Sequence, residues 1–237
     1  MTDQPPLTIV SPTDLSVTMR DYLVQVYRLG DREAAPGAFV STSAVAESIA
    51  VSAPAVNRMI GRLRTMGLVE HEPYRGIRLT PDGAREALKQ LRRHRIIESF
   101  LVTVMALPWH SVHEEADRLA PVTSDALIER MNGLAGHPTH CPHGEPIPTA
   151  DGAITPLDDV LLTAAPHHVN LIVTRLRTRE ADRLEYLGAL ELLPGARLQV
   201  HHAAPFNGPL QLKLESARDA YRIIGHNLAE MLRVRIV

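Results

Sequence analysis

One cysteine in 237 residues, Cys141, excludes an internal disulfide framework and fits a reducing cytosol. Aromatic residues are also scarce, 4% against 45% hydrophobic overall, which suits a helix-rich globular chain. No apolar run is long enough to cross a bilayer: the most apolar stretch, Ile96 to Trp109, is short and broken by Glu98. The first residues, MTDQPPLTIVSPTD, carry neither a basic region nor an apolar one, so no secretory signal is expected. A cytoplasmic location without a membrane partner follows as the expectation. A glycine-rich phosphate loop and a nucleophile–base–orienter set are both missing, which argues against an enzyme. No internal repeat or low-complexity tract is present.

Net charge is low as well, at -2, but its distribution is uneven. Between Arg58 and Arg95 stand ten Lys or Arg against four acids, so this stretch carries +6 and the rest of the chain -8. A basic stripe on an otherwise acidic protein is the footprint of phosphate contact. For Arg85 to Arg95 alone, a solvated helix face is the better explanation of the charge.

The pattern of apolar and turn residues divides the chain into 1–80, 81–150, a linker 151–165, and 166–237. Residues 13–29 place Leu15, Met19, Leu23, Val26 and Tyr27 at helical spacing. After a loop at Pro36 and Gly37, Thr42 or Ser43 caps a short helix to Ala50. Ser52 caps a second helix, with Pro54 in its first turn, that runs to Met66 and stops at Gly67. LVEHE and GIRLT around Pro73–Gly76 make a hairpin, so the segment reads as a winged helix-turn-helix. A long helix starts at Thr80-Pro81 and runs to about Leu107. Ser111 to Glu114 matches a capping box, opening a helix that Pro121 ends, and another helix spans Ser124 to Leu134. Their apolar faces suggest a dimer interface. Beyond the linker, VNLIVTRLR, ARLQVHHAA, PLQLKLES and LRVRIV read as strands, with a helix over Arg179 to Leu190. The expected fold is mainly α with a small β domain: winged helix, helical dimerisation domain and SH3-like β-barrel.

Two helical pairs carry ligand chemistry, His94 with Glu98 and His113 with Asp117. Spacing of i, i+4 puts both members on one helix face, and imidazole with carboxylate suits a divalent ion of borderline or hard character. On the second helix of the winged motif, Ser52, Ala55, Asn57 and Arg58 sit where base edges are reached. Asn57 suits adenine and Arg58 guanine, while Pro54 and Ala55 suit thymine methyl groups. Arg62, Arg64, Arg75 and Arg78 suit phosphates.

In DYLVQVY (21–27), SAPAVNRMIGRL, GLVEHEPYRGIRLTPDG, HRIIESFL, VHEEADRL, SDALIERM and CPHGEPIP, the chain resembles the diphtheria-toxin-repressor (DtxR/MntR) family of metal-dependent regulators. LEYLGALELLPGARLQV and APFNGPLQL resemble the FeoA/SH3-like domain of its longer members. The resemblance implies a homodimeric repressor that binds a palindromic DNA operator when loaded with Mn²⁺ or Fe²⁺. It places an ancillary metal site on His94, Glu98 and His113, completed by Glu180, with Asp182 beside it. It places a primary site on Asp21 and Asp117, with His94 a further candidate, where Ala120, Pro121 and Val24 stand in positions that usually hold ligands. Glu114 and His110 are possible recruits. Aspartate rather than sulfur at both primary positions favours Mn²⁺, with Fe²⁺ the alternative. Cys141, His143, His137 and His140 read mainly as a structural loop, with metal binding the minority reading, and His167, His168, His201 and His202 as surface pairs. A regulator with a degenerate, metal-independent sensor is the main rival, and a metalloenzyme a weaker one.

Overall fold

The structure, a computed structural model, describes residues 15–31, 38–215 and 221–237. The expected helix start at Thr13, the Pro36–Gly37 loop and Ser216 lie outside these residues. Two compact units form, one from the chain up to Arg93 with Pro148–Ile154, the other from His94–Ile147 with the chain from Thr155 onward.

In the first unit, helix α1 (Val17–Gly30) opens on Ser16, whose Oγ accepts the Met19 N–H at 3.3 Å. Met19, Tyr22, Leu23 and Val26 form its buried stripe; Tyr22 rather than Tyr27 fills the last aromatic place. Helix α2 (Thr42–Ser48) is capped by Ser41, not by Thr42 or Ser43. Ser41 has the extended backbone a cap requires, and its Oγ accepts the Ala44 N–H at 3.0 Å, whereas Thr42 is already helical. Helix α3 (Ala53–Thr65) turns Val56, Ile60 and Leu63 into the core. Strands β1 (Val69–Glu72) and β2 (Gly76–Leu79) pair antiparallel, with Val69 opposite Leu79. Helix, turn, helix and hairpin make the winged helix expected from the sequence.

Helix α4 (Pro81–Thr103) begins where Thr80 Oγ1 accepts the Gly83 N–H at 3.1 Å. It stops four residues short of Leu107. Three β-branched residues, Val102 to Val104, crowd its last turn, and Ala106 takes a positive φ of 56° ahead of Pro108. Helix α5 (Val112–Leu119) lacks the expected capping box. Ser111 has φ -106° and ψ -1°, and its hydroxyl donates to the Pro108 carbonyl at 3.0 Å, while Glu114 pairs with Arg118 at 3.4 Å. Helix α6 (Asp125–Leu134) is capped by Ser124. Ile96, Ile97 and Leu101 of α4 pack on Val112 and Ala116 of α5 and Ile128 of α6.

The chain then forms β3 (Val160–Leu161), β4 (Leu171–Leu176), α7 (Ala181–Ala189), β5 (Arg197–Ala203), β6 (Leu210–Leu214), β7 (Tyr221–Ile224), α8 (His226–Ala229) and β8 (Leu232–Ile236). One antiparallel sheet results, in the order β3-β8-β4-β5-β6-β7. Leu171, Val173, Val200, Leu212 and Val234 alternate inward against Leu184 and Leu187 of α7. This is the small SH3-like β domain. The supposed linker is partly structured, since β3 and a 3₁₀ turn at Leu162–Ala164 fall inside it. A bulge between Val173 and Arg175 breaks the alternation, so Arg175 and Leu176 are both buried. Arg175 thereby reaches Asp159 through Nε at 3.0 Å and Nη2 at 3.2 Å. Among the described residues, no helix is long and apolar enough to cross a membrane.

Candidate metal centre and DNA-binding surface

Three imidazoles and a thiol surround one buried carboxylate in the second unit. Glu98, 1% exposed, lies one turn after His94 on α4, and its Oε1 is 2.8 Å from His94 Nε2. His113, from the first turn of α5, brings Nδ1 into very close contact with the same oxygen. His143, from the loop after α6, holds Nδ1 3.8 Å from the other oxygen, Oε2. Cys141 Sγ is 3.9 Å from His143 Nδ1. Donor atoms of His94, Glu98 and His113 fall within 4.8 Å of one another, as do those of Glu98, Cys141 and His143.

The loop that delivers Cys141 and His143 is tightly anchored. Gly144 has φ +84°, and a Cβ there would collide with the Thr174 carbonyl oxygen, so only glycine lets the loop lie against β4. The Leu176 N–H donates to the His143 carbonyl at 2.9 Å. Glu145 accepts from Arg95 Nη2 at 3.0 Å and Arg175 Nη1 at 3.3 Å, and Arg95 Nη1 also donates to the Pro146 carbonyl at 2.6 Å. The loop is anchored as a structural loop would be, and it also brings Cys141 and His143 beside Glu98. Alternating His and Pro in HPTHCPHG gave no periodicity from which to choose His143 over His137 or His140. His137 instead meets Asn132 at 3.3 Å and His140 meets Thr139 at 3.0 Å.

Burial alone would push the Glu98 carboxyl up, yet the three imidazoles, His94 foremost, hold it well below the usual carboxylate range. Burial would lower His94, but Glu98 and Asp117 raise it above its ordinary value. His113 is lowered by burial, which its contacts with Glu98 only partly offset. The Cys141 thiol is pushed well up by burial and by the neighbouring Glu98 and Glu145 charges.

These residues fit a metal ion. His113 Nε2 is buried without a hydrogen-bond partner, while Nδ1 bears directly on Glu98 Oε1. Its ring also stacks on His143 at 4.1 Å between centroids, which orients both rings toward Glu98. A carbonyl oxygen only accepts, so the 2.9 Å contact of His143 Nε2 with Trp109 O makes Nε2 the donor. That contact turns Nδ1 toward Glu98 Oε2, 3.8 Å away. That separation is too long for a hydrogen bond and within the span of two donors each about 2.0–2.3 Å from a shared ion.

The remaining candidates are placed elsewhere. Asp117 Oδ1 is 3.2 Å from His94 Nδ1, and its Oδ2 accepts Arg179 Nη2 at 2.7 Å. Glu180 pairs with Arg183 Nε at 2.7 Å at the start of α7, and Glu114 is exposed beside Arg118. Asp21 is an exposed residue of α1 in the first unit. On the DNA side, Ser52, Pro54, Asn57, Arg58, Arg62 and Arg64 are exposed on or beside α3, and Ala55 is half-buried. Among the described residues, Arg58, Arg62 and Arg64 form no ion pair. Arg75 and Arg78 are instead paired with Glu72 and Glu70 and lie 4.3 and 4.7 Å over the Phe39 ring.

Comparison with known proteins agrees with this layout. Residues 14–77 match the N-terminal DNA-binding domain of iron-dependent repressors, 80–149 their metal-binding and dimerisation domain, and 160–236 the FeoA domain. The iron-dependent repressor IdeR of Mycobacterium leprae is 30% identical over 79% of this chain and 85% of its own length. A solved manganese-dependent transcriptional repressor in complex with manganese is 32% identical, covering 92% of this chain and 100% of its own, with a TM-score of 0.84. The structure of ScaR with bound Zn²⁺ is 27% identical, covering 92% and 99% of the two chains, with a TM-score of 0.77. With winged helix, helical domain and FeoA domain in the order of these repressors, the chain belongs to the DtxR/MntR family of metal-dependent transcriptional repressors.

Proposed function

We propose that His94, Glu98 and His113, with His143 and Cys141 beside them, hold the divalent ion through which this repressor senses metal. The observation that carries the reading is His113: its buried Nε2 has no hydrogen-bond partner, while its Nδ1 bears directly on the buried, ionised carboxylate of Glu98. A buried carboxylate is costly unless paired or bound to a cation. The ion supplies the positive charge that would let the imidazoles turn lone pairs inward around Glu98. We take Mn²⁺ as the ion, with Fe²⁺ as the alternative that imidazole and thiol donors admit.

Metal occupancy would favour the DNA-binding arrangement of a dimer, by the difference in metal affinity between its two states. On α3, Asn57 and Arg58 would read bases, with Ser52, Pro54 and Ala55 at the helix start. Arg62 and Arg64 would bind phosphate, and Arg75 and Arg78 would join them by exchanging exposed acidic partners for phosphate. Such exchange is cheap, since exposed pairs contribute about 0–1 kcal/mol. Exposed Val104, Met105, Leu127 and Leu134 offer the helical domain an apolar surface for a second copy.

The test is metal content by mass spectrometry together with binding to a duplex selected from a random-sequence pool in Mn²⁺. Titration with Mn²⁺, Fe²⁺ and Zn²⁺ should restore binding to chelated protein, and His113→Ala should lose it. Full-strength binding in chelator would favour the metal-independent reading, which the neutralisation of Asp117 by Arg179 recommends as the rival.

A further inference from the structure

Asp117 stands one helical turn after His113 on α5, where its carboxylate could face the metal cluster. Instead both oxygens are engaged. Oδ1 lies 3.2 Å from His94 Nδ1, and Oδ2 accepts Arg179 Nη2 at 2.7 Å. Arg179 belongs to the segment between β4 and α7, so the SH3-like domain supplies it. The two nitrogens of an imidazole point to opposite sides of the ring. Holding Nδ1 on Asp117 therefore aims Nε2 at Glu98, which it meets at 2.8 Å. A carboxylate behind a ligand histidine fixes its tautomer and ring rotation and makes the metal-facing nitrogen a better donor. Neither group of close donors around Glu98 includes Asp117. Glu180, beside Arg179 in sequence, is turned away onto Arg183.

We propose that Asp117 is a positioning residue of the metal centre, clamped by Arg179, and that this pair orients His94 without binding metal itself. Resting on the reading of His94, Glu98 and His113 as the metal centre, it makes Arg179 a route by which the SH3-like domain acts on metal affinity, beside the contacts of β4 with the Cys141–His143 loop. Arg179 works only through Asp117. Removing it frees the carboxylate to swing toward solvent, and the ring it holds loses its fixed rotation.

The experiment uses the full chain with Asp117→Ala, Asp117→Asn, Arg179→Ala, the Asp117→Ala/Arg179→Ala double variant and His113→Ala. Mn²⁺ affinity is measured by chelator competition and stoichiometry by native mass spectrometry. The side-chain nitrogens of His94 are followed by NMR in the metal-free protein. Asp117→Ala should keep the parent's number of ions and lose on the order of 10–100-fold in affinity, the usual cost of an outer-sphere partner. Asp117→Asn keeps an acceptor for Nδ1–H and should lose less. Arg179→Ala should weaken binding, and the double variant should be no weaker than Asp117→Ala alone. The His94 Nδ1–H signal should shift in both Asp117 variants.

Loss of one ion per chain in Asp117→Ala would make Asp117 a donor and overturn the proposal. Parental affinity in Asp117→Ala and Arg179→Ala, or additive effects in the double variant, would overturn it too. If Asp117→Ala does not fold, Asp117→Asn and Arg179→Ala decide by the same criteria. His113→Ala separates the two readings: parental metal binding there would sink the metal centre, whereas loss there with no effect at Asp117 sinks only the positioning role.

Discussion

His143 and Trp109 are joined by a 2.9 Å hydrogen bond from the imidazole Nε2 to the tryptophan backbone carbonyl, and this bond decides which nitrogen of His143 faces Glu98. His143→Ala should therefore weaken Mn²⁺ binding by more than the roughly 10–100-fold that losing an outer-sphere partner costs. Gly144→Ala should follow it in part, because the added methyl forces the loop off the Thr174 carbonyl. Chelator competition on the two variants checks both, and parental affinity in His143→Ala would remove this residue from the centre.

Cys141 brings a soft donor into a set otherwise made of nitrogen and oxygen. Cys141→Ser should weaken Zn²⁺ and Cd²⁺ binding far more than Mn²⁺ binding, because a thiolate favours softer and later metals. Competition titrations with the three ions give the ranking. An equal loss for all three would mean that the thiol is not a ligand.

The metal-free centre should respond to pH in opposite directions for stability and for metal affinity. His94 has a raised value in the folded protein, so its stabilising contribution is full below its ordinary 6.5 and is lost as pH rises through the folded value. Asp117 is held down at about 2, against burial, by the hydrogen bond from His94 and the charge of Arg179. Its contribution is present above its ordinary 3.8 and is lost only as pH falls below that, through the folded value of about 2. Metal needs His94 without its Nε2 proton. His113, lowered in the folded protein, contributes to stability with the opposite sign. In a His113→Gln variant, raising pH from about 6 to 8 should therefore lower the melting temperature in chelator. In the parent it should raise the apparent Mn²⁺ affinity, with proton release seen by calorimetry in buffers of different ionisation heat.

Glu145 is held between Arg95 and Arg175, and Arg175 also grips Asp159 ahead of β3. Removing one member of a buried ion group leaves the others uncompensated, so Glu145→Ala should cost about 3 kcal/mol in unfolding free energy. Urea denaturation in chelator measures this. A loss under about 1 kcal/mol would show the network to be solvated in solution.

For DNA, Arg62→Ala should lower affinity for all duplexes alike and reduce the slope of log affinity against log salt by about 1. Asn57→Ala should instead relax the preference at one base position, at a cost of about 1–3 kcal/mol. Binding titrations across salt concentrations and single-base variants of the selected site separate the two.

The longer helices were legible from their periodic apolar stripes, as with Leu23 and Val26 on α1 or Ile60 and Leu63 on α3, whereas the four-residue α8 was not. The His94–Glu98 pair was legible for the same reason, a fixed helical spacing. The short elements were not: β3 has two residues, β7 four, and neither offers enough alternation to distinguish strand from loop. Ser41 shows how capping chemistry misleads when several hydroxyl residues adjoin, and Ser111 how it misleads when the residue's own backbone is not extended, since backbone dihedrals and not residue type select the cap. His143 joined the centre through loop geometry set by Gly144 and Glu145, and the partner of Asp117 lies 62 residues away at Arg179, a pairing that no local spacing encodes.

The burial of Cys141 also bears on oxidation. Peroxides attack thiolate rather than thiol, and burial beside Glu98 and Glu145 keeps this sulfur protonated in the metal-free protein. The chain's single sulfhydryl is thus a sluggish target for sulfenic-acid formation while the centre awaits its ion. In the proposed metal centre, this would leave the soft donor intact through oxidative episodes.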